Sequence, residues 1–304
     1  VIIARVSGPL HENILRTALN LLSQRHPLLS VRVEVEGQPV FTSENVPEIP
    51  LRVEPRRSND HWQEEAEKEV NQQFSWLEGP LIRVVLLKGD NISDLLLTFH
   101  HVIGDGASCV YLVRDLLHYV EMVADGRSPD IEALPERPPV EELLPTSAHG
   151  LDGQVKTASL IGKQLVNIFI QHPKKLPKDG DPFSKDRTAR NIYRMLSEKE
   201  TEAFLAKCHQ ESATVHGAVC AAVLQAAAHQ ICEASGDDST TISCMSMVNL
   251  RQFLNPPLGD EVGLYISGVI TAHRVGSSTD FWDLARSVRK AVHKSVEKGE
   301  PFVF

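Results

Sequence analysis

Residues 95–108 read LLLTFHHVIGDGAS. Leu95 to Phe99 form a short apolar run with the composition of a buried strand, and the run leads into two adjacent histidines, His100 and His101. The chain then turns through Gly104-Asp105-Gly106 and enters a helical pattern, with Val110, Leu112, Val113, Leu116, Leu117 and Val120 on or near one face. A buried strand, a polar turn and a helix in succession can hold reactive groups in a fixed geometry.

Histidine is the side chain most readily used as a base near neutral pH. Neighbours in an extended segment point to opposite sides. If the strand runs through both histidines, one packs or orients while the other meets a substrate. Asp105 has two readings. It orients an imidazole, as the carboxylate of a triad does, or it holds the turn by pairing with a buried arginine. Gly104 and Gly106 favour a tight turn. The sequence has no G-x-S-x-G nucleophile elbow, and Cys109 lies past the turn, in the helical pattern. A histidine here would act directly on a substrate hydroxyl or amine, in a ternary transfer without a covalent acyl-enzyme. Two other readings compete. Adjacent histidines beside a buried strand are most often satisfied core or surface groups. A metal bound by His100, His101 and Asp105 lacks an H-E-x-x-H or another spaced third ligand, so no metal is expected.

The chain has 304 residues, 42% of them hydrophobic, enough for two domains. Lys and Arg number 31 against 40 Asp and Glu, a net charge of -9, and no dense basic run suggests nucleic acid as a partner. No charge-free apolar stretch of about eighteen residues is read, so no transmembrane segment is expected. The five cysteines include no C-x-x-C pair, which fits free thiols in a reducing, cytoplasmic setting. The opening VIIARVSGPL reads as a strand without signal-peptide layout, and the closing GEPFVF as the start of a further element. Both ends read as cuts.

Periodicity predicts strands at Val1–Val6, Leu28–Val35, near Leu51–Val53, and at Pro80–Lys88, Arg190–Leu196, Thr240–Val248 and Gly263–His273. It predicts helices at Leu10–Leu22, Asp60–Phe74 with Asp60 as cap, from the glycine turn to near Gly126, and at Leu151–Ile170. A further helix starts at the capping signature Ser197-Glu198-Lys199-Glu200 and runs to about Cys208. Thr214–Ile231, rich in alanine, reads as a helix buried on most faces, and Asp280–Val296 as an amphipathic one. About six residues separate Pro80–Lys88 from the motif strand, which predicts an antiparallel pair. The proline-rich residues 127–150 read as a linker that Leu143 and Leu144 anchor. The α/β pattern divides into a first domain, 1–180, and a second, 181–304, of related sandwich build.

His100-His101-Val102-Ile103-Gly104-Asp105-Gly106 also matches the HHxxxDG signature of the condensation-domain superfamily. That superfamily holds nonribosomal peptide synthetase condensation domains and free-standing acyltransferases. Arg25-His26-Pro27-Leu28-Leu29, Phe74–Leu81 (FSWLEGPL) and Met247-Val248-Asn249-Leu250-Arg251 resemble further family segments, in family order. The near relatives are chloramphenicol acetyltransferase-like enzymes, polyketide-associated acyltransferases and alcohol acetyltransferases.

The resemblance implies two chloramphenicol acetyltransferase-like sandwich subdomains in a V with a central tunnel. The second subdomain is incomplete here, because family members are longer. It also implies an acyl thioester co-substrate, carried on coenzyme A or on the phosphopantetheine of an acyl carrier protein, an alcohol or amine acceptor, and no permanently bound cofactor. His101 is then the general base and His100 its support. Asp105 is the structural partner of an arginine, Arg251 first and Arg25 second, and Gly106 lets the backbone approach the reacting centre. A free-standing acyltransferase is the leading reading. A condensation domain excised from a peptide synthetase is the alternative, and a non-catalytic interaction domain of the same fold is the third. Lys174, Lys175 and Lys178 are weaker candidates for attracting phosphates or an acidic carrier protein. Tyr265 and Ser267 are weaker candidates for lining a cleft. His216 reads as structural, and Trp62, Trp76 and Trp282 as core or rim aromatics.

Overall fold

The apolar run before the paired histidines becomes an interior strand of a mixed sheet. The computed structural model describes residues 1–150, 153, 155, 157–162, 172–177, 180 and 187–303. They fall into two units. The first holds Val1–Val140, Leu258–Tyr265 and the described residues of 186–192. Its elements are β1 (Ile2–Ser7), α1 (Glu12–Arg25), β2 (Arg32–Glu34), β3 (Val40–Thr42), β4 (Leu51–Pro55), α2 (His61–Asn71), β5 (Ile82–Lys88), β6 (Ile92–Phe99) and α3 (Gly106–Ala124). The sheet order is β1-β6-β5-β4. Strand β6 runs antiparallel to both neighbours, with Ile2 opposite Leu97 and Ile82 opposite Phe99, while β4 runs parallel to β5. The strand expected over Leu28–Val35 is cut short. Pro27 opens a 3₁₀ turn, Pro27–Ser30, and only Arg32–Glu34 pairs, with β3, in a hairpin of its own.

Alternation gives the four-stranded sheet two different faces. On one face Ile82, Val84, Leu86, Leu95 and Leu97 meet Leu15, Leu19 and Leu22 of α1 and Leu112 and Leu116 of α3. Each such side chain gains about 1.5–3 kcal/mol from leaving water. The other face is charged and lies under α2. Arg52 donates to the buried Glu65 at 2.9 Å and Glu69 at 3.0 Å, and Arg83 donates to Glu69. Asp94, fully buried near the start of β6, accepts from Arg5 Nε at 2.6 Å and Arg56 Nε at 2.7 Å. The polar composition of α2 is therefore the composition of a buried ionic layer, not only of a wet surface. Asp60 sits at the N-cap position of α2, but its side chain makes no cap bond.

The second unit holds Tyr193–Pro257, Ile266–Phe304 and the described residues from Glu141 to 180. Its main elements are α4 (Glu198–Gln210), α5 (Val215–Ser235), β7 (Ser239–Asn249), β8 (Ile266–Gly276) and α6 (Phe281–Glu297). Strands β7 and β8 form an antiparallel ribbon. Ala218, Ala221, Leu224 and Ala228 of α5 pack with Leu284, Ala285 and Val288 of α6. Gly217 lets the two helices close, since a Cβ there would meet the Ala285 carbonyl oxygen at 2.7 Å. The expected capping box forms: the Ser197 N–H donates to Glu200 at 2.7 Å, and the Glu200 N–H donates to Ser197 Oγ at 3.3 Å.

Two expectations are corrected. Residues 190–196 form no strand, and Ile192 and Met195 stand 81% and 89% exposed. Helix α5 is buried along one flank only, with Val219 and Val223 exposed. By length and composition the same helix could cross a membrane, a test that the core helix of a globular unit also passes. Its buried flank supplies the core of the second unit. The second unit takes the chain from Glu141, and Leu258–Tyr265 belongs to the first. Within 127–150 the backbone is tied down by Leu134 N–H to Arg25 O at 2.8 Å, and Leu143 and Leu144 are buried. Lys178 and most of the expected helix Leu151–Ile170 lie outside the described residues.

Candidate active site

Strand β6 ends at Phe99. The His100 N–H still donates to Leu81 O at 2.8 Å, but His101–Ile103 wind into a 3₁₀ turn. The change of direction brings both histidines to the edge of one cavity of about 590 Å³, bordered also by Phe74, Trp76 and Thr98. The expectation that they must face apart assumed a continuing strand, and the strand does not continue.

The two imidazoles are held differently. His101 Nδ1 lies 2.8 Å from Gly104 O. A carbonyl only accepts, so Nδ1 carries a proton, and in the neutral ring Nε2 is the nitrogen with the lone pair. The residue is exposed. His100 Nδ1 accepts from the Val102 N–H at 3.2 Å. Its ring stands edge-on to Trp76, with centroids 4.8 Å apart, and to Phe74 at 6.1 Å. Arg83 in turn lies over the Phe74 ring at 4.2 Å. His100 is fixed among aromatic rings, while His101 presents a basic nitrogen.

Asp105 is buried at the N-cap of α3. Its Oδ1 accepts from Ser108 N at 3.0 Å, and its Oδ2 accepts from Tyr265 N at 3.0 Å. Ser108 Oγ accepts from the N–H groups of Asp105 and Gly263, both at 3.2 Å. Asp105 and Ser108 thus join the motif turn to residues 263–265. The imidazole of His101 is oriented by Gly104 O, so Asp105 does not fill the orienting role of a triad. A Cβ on Gly104 would meet Phe99 Cε2 at 2.9 Å, whereas one on Gly106 would meet nothing within 4 Å. The positive end of the α3 dipole lies at this turn. Cys109, one turn into α3, has its thiol pushed up by burial first and then by the charge of Asp105, which leaves it a poor nucleophile.

The fold recurs in solved structures. Polyketide synthase associated protein 5 from Mycobacterium tuberculosis superposes with a TM-score of 0.69 at 18% identity, over 99% of this chain and 70% of that one. The first condensation domain of the calcium-dependent antibiotic synthetase gives 0.72 at 18%, over 98% and 68%. The chain has the fold of the condensation-domain superfamily. Residues 186–302 match the family described as phthiocerol/phthiodiolone dimycocerosyl transferase C-terminus. Among curated proteins, a linear gramicidin synthase of Brevibacillus parabrevis is 30% identical over 141 residues, 43% of this chain and 3% of that protein. The probable non-canonical nonribosomal peptide synthetase CymA of Salinispora arenicola is 28% identical over 292 residues, 93% of this chain. The chain spans only 3% to 4% of the length of these two synthetases.

On this condensation-domain fold the other named residues take varied places. Arg25 does not pair with Asp105. It donates to Asp115 at 3.0 Å, and His26 Nε2 donates to the same oxygen at 2.9 Å. Burial pushes the Asp115 carboxyl up, but the bonds from His26, Arg114 and Arg25 outweigh it and hold the group well below the usual carboxylate range. Sequence reasoning missed both Ser108 and Asp115. The signal for Ser108 was its place three residues after an N-cap aspartate. That for Asp115 was a carboxylate inside the apolar stripe of α3, between Leu112 and Leu116. Arg251 is buried in a 3₁₀ turn of the second unit, its N–H donating to Asn249 Oδ1 at 3.0 Å. Tyr265 is buried, and Trp76 is a rim aromatic beside His100. Lys174 is paired with Asp237. Among the described residues, Glu54, His61 and Glu65 bring possible metal ligands together, but Arg52 already bonds both carboxylates and Arg57 donates to the imidazole.

Proposed function

We propose that this chain transfers an acyl group from a thioester to a nucleophile held beside His101, as a condensation domain acting on carrier-bound substrates does. The observation that carries the reading is the bond from His101 Nδ1 to Gly104 O, because it leaves Nε2 as an exposed acceptor. In the proposed reaction Nε2 takes the proton of the acceptor amine or hydroxyl as that atom attacks the thioester carbonyl. The resulting oxyanion forms near the N-terminal end of α3, where partial positive charge favours it. As the tetrahedral intermediate collapses, the imidazolium returns the proton to the departing thiolate. The raised thiol of Cys109 supports direct transfer over an acyl-cysteine route. Likeness to a gramicidin synthase over 43% of the chain and to CymA over 93% of it favours carrier-bound partners.

A second reading, a free-standing acyltransferase using acyl-coenzyme A and an alcohol, has one specific support: the match of residues 186–302 to the dimycocerosyl transferase family. The test offers the full-length protein acyl- and aminoacyl-carrier proteins and acyl-coenzyme A, each with amines and alcohols, and detects products by mass spectrometry. Product from carrier-bound pairs, lost by about 10²–10⁴-fold in His101→Ala, is the expected result. Product from coenzyme A and alcohols alone would move the assignment to the second reading. Undiminished transfer by the variant would remove His101 from the mechanism.

A further inference from the structure

In the second unit, side chains that the proposed chemistry does not use converge between α5 and β7. His216 Nε2 lies 2.9 Å from Ser246 Oγ and 3.5 Å from Cys220 Sγ. His216 and Cys220 are one turn apart on α5, a stride of about 6 Å. Ser246 and Cys244 are two residues apart on one face of β7, a stride of about 6.7 Å. Helix and strand follow one another through a short turn, Gly236-Asp237-Asp238, so they run in opposite directions. Matching strides in opposite directions, with His216 against Ser246, set Cys220 against Cys244. Both cysteines belong to the same packed cluster. The Cys244 thiol is pushed up to about 11, by burial first and then by the Cys220 thiol next to it.

We infer that Cys220 and Cys244 are a dithiol pair that closes reversibly into a disulfide, stapling α5 to β7. Cys220 is the attacking sulfur, because the imidazole of His216 stands ready to accept its proton. With glutathione disulfide as oxidant, the Cys220 thiolate displaces one glutathione and forms a mixed disulfide. With Cys220 capped, its share in raising the Cys244 thiol is gone, and Cys244 loses its proton to solvent and displaces the second glutathione. Two protein thiols become one disulfide, and one glutathione disulfide becomes two thiols. The remaining cysteines, Cys109, Cys208 and Cys232, take no part.

The full-length protein is incubated with glutathione disulfide, quenched with an alkylating agent and mapped by mass spectrometry without reduction. A peptide pair linked through Cys220 and Cys244, released by dithiothreitol, is expected. Cys244→Ser should instead accumulate a stable glutathione adduct on Cys220. His216→Asn should slow closure by about tenfold, at unchanged circular dichroism, if the imidazole takes the proton. In urea, the oxidised native chain should unfold at a higher midpoint than the reduced one, and Cys244→Ser should show no such shift. Both thiols alkylated after oxidation, or a link through any other cysteine, would overturn the inference. So would zinc retained by the two thiols in place of the link.

Discussion

Gly104 and Gly106 stand two residues apart and answer to different constraints. Gly104 is required by the chain's own packing, since a methyl group there would press on Phe99 and Ser108. Gly104→Ala should cost about 1–3 kcal/mol, read from the shift of a urea unfolding curve. Gly106→Ala meets open space and should leave stability within about 0.5 kcal/mol of the parent. If the acyl group reacts at this helix end, the same change should lower turnover while the unfolding curve stays in place. Asp115 shows the reverse kind of importance. It holds His26 and Arg25 in place, and Asp115→Ala should cost about 3 kcal/mol by leaving buried partners uncompensated. The heptapeptide around His101 was legible in the sequence because its residues are contiguous and chemically unusual. The His26–Asp115 pair was not, because its members lie 89 residues apart and only folding brings them together.

At the scale of elements, legibility followed locality. The capping box of α4 is complete within Ser197–Glu200, so the helix start could be read from those residues alone. Ser197→Ala should therefore cost about 1 kcal/mol and raise amide exchange in the first turn of α4, measured by hydrogen–deuterium exchange. The expected strand over 190–196 failed for the complementary reason. A strand needs a partner, and alternation in one segment does not supply one. The α5 reading erred in another way: alanines make a helix apolar all round without saying which flank is covered. Helix α2 was read as polar, and so it is, yet Glu65 and Glu69 on it are among the most buried groups of the first unit. Hydropathy cannot separate a wet carboxylate from one matched by Arg52 and Arg83.

Across the whole molecule, the first unit carries its ionisable groups inside. Glu65, Asp94, Asp115 and Glu261 are each pushed up by burial, and each is held below its ordinary value by hydrogen-bonded cations. A lowered carboxyl binds fewer protons folded than unfolded, so its stabilisation is present above its ordinary value and lost as pH falls through the lowered one. The lowered carboxyls of the second unit, the exposed Glu200 and Asp237 and the half-buried Glu211, lie close to solvent, are screened and contribute little. As pH falls from about 5 through the lowered carboxyl range, strands β5 and β6 should lose exchange protection before α5 and α6 do. Retention of both, or earlier loss from α5, would contradict this. The pairing of Arg5 opposite Asp94 has one more consequence. A slip of β1 along β6 by one residue would turn its apolar side chains the wrong way, and burial alone forbids it. A slip by two keeps every face correct, so burial cannot detect it. It would, however, take Arg5 away from the buried Asp94 and leave that carboxylate with Arg56 alone. The charge acts as a proofreading mark, distinguishing the native alignment from an error that hydrophobicity would accept.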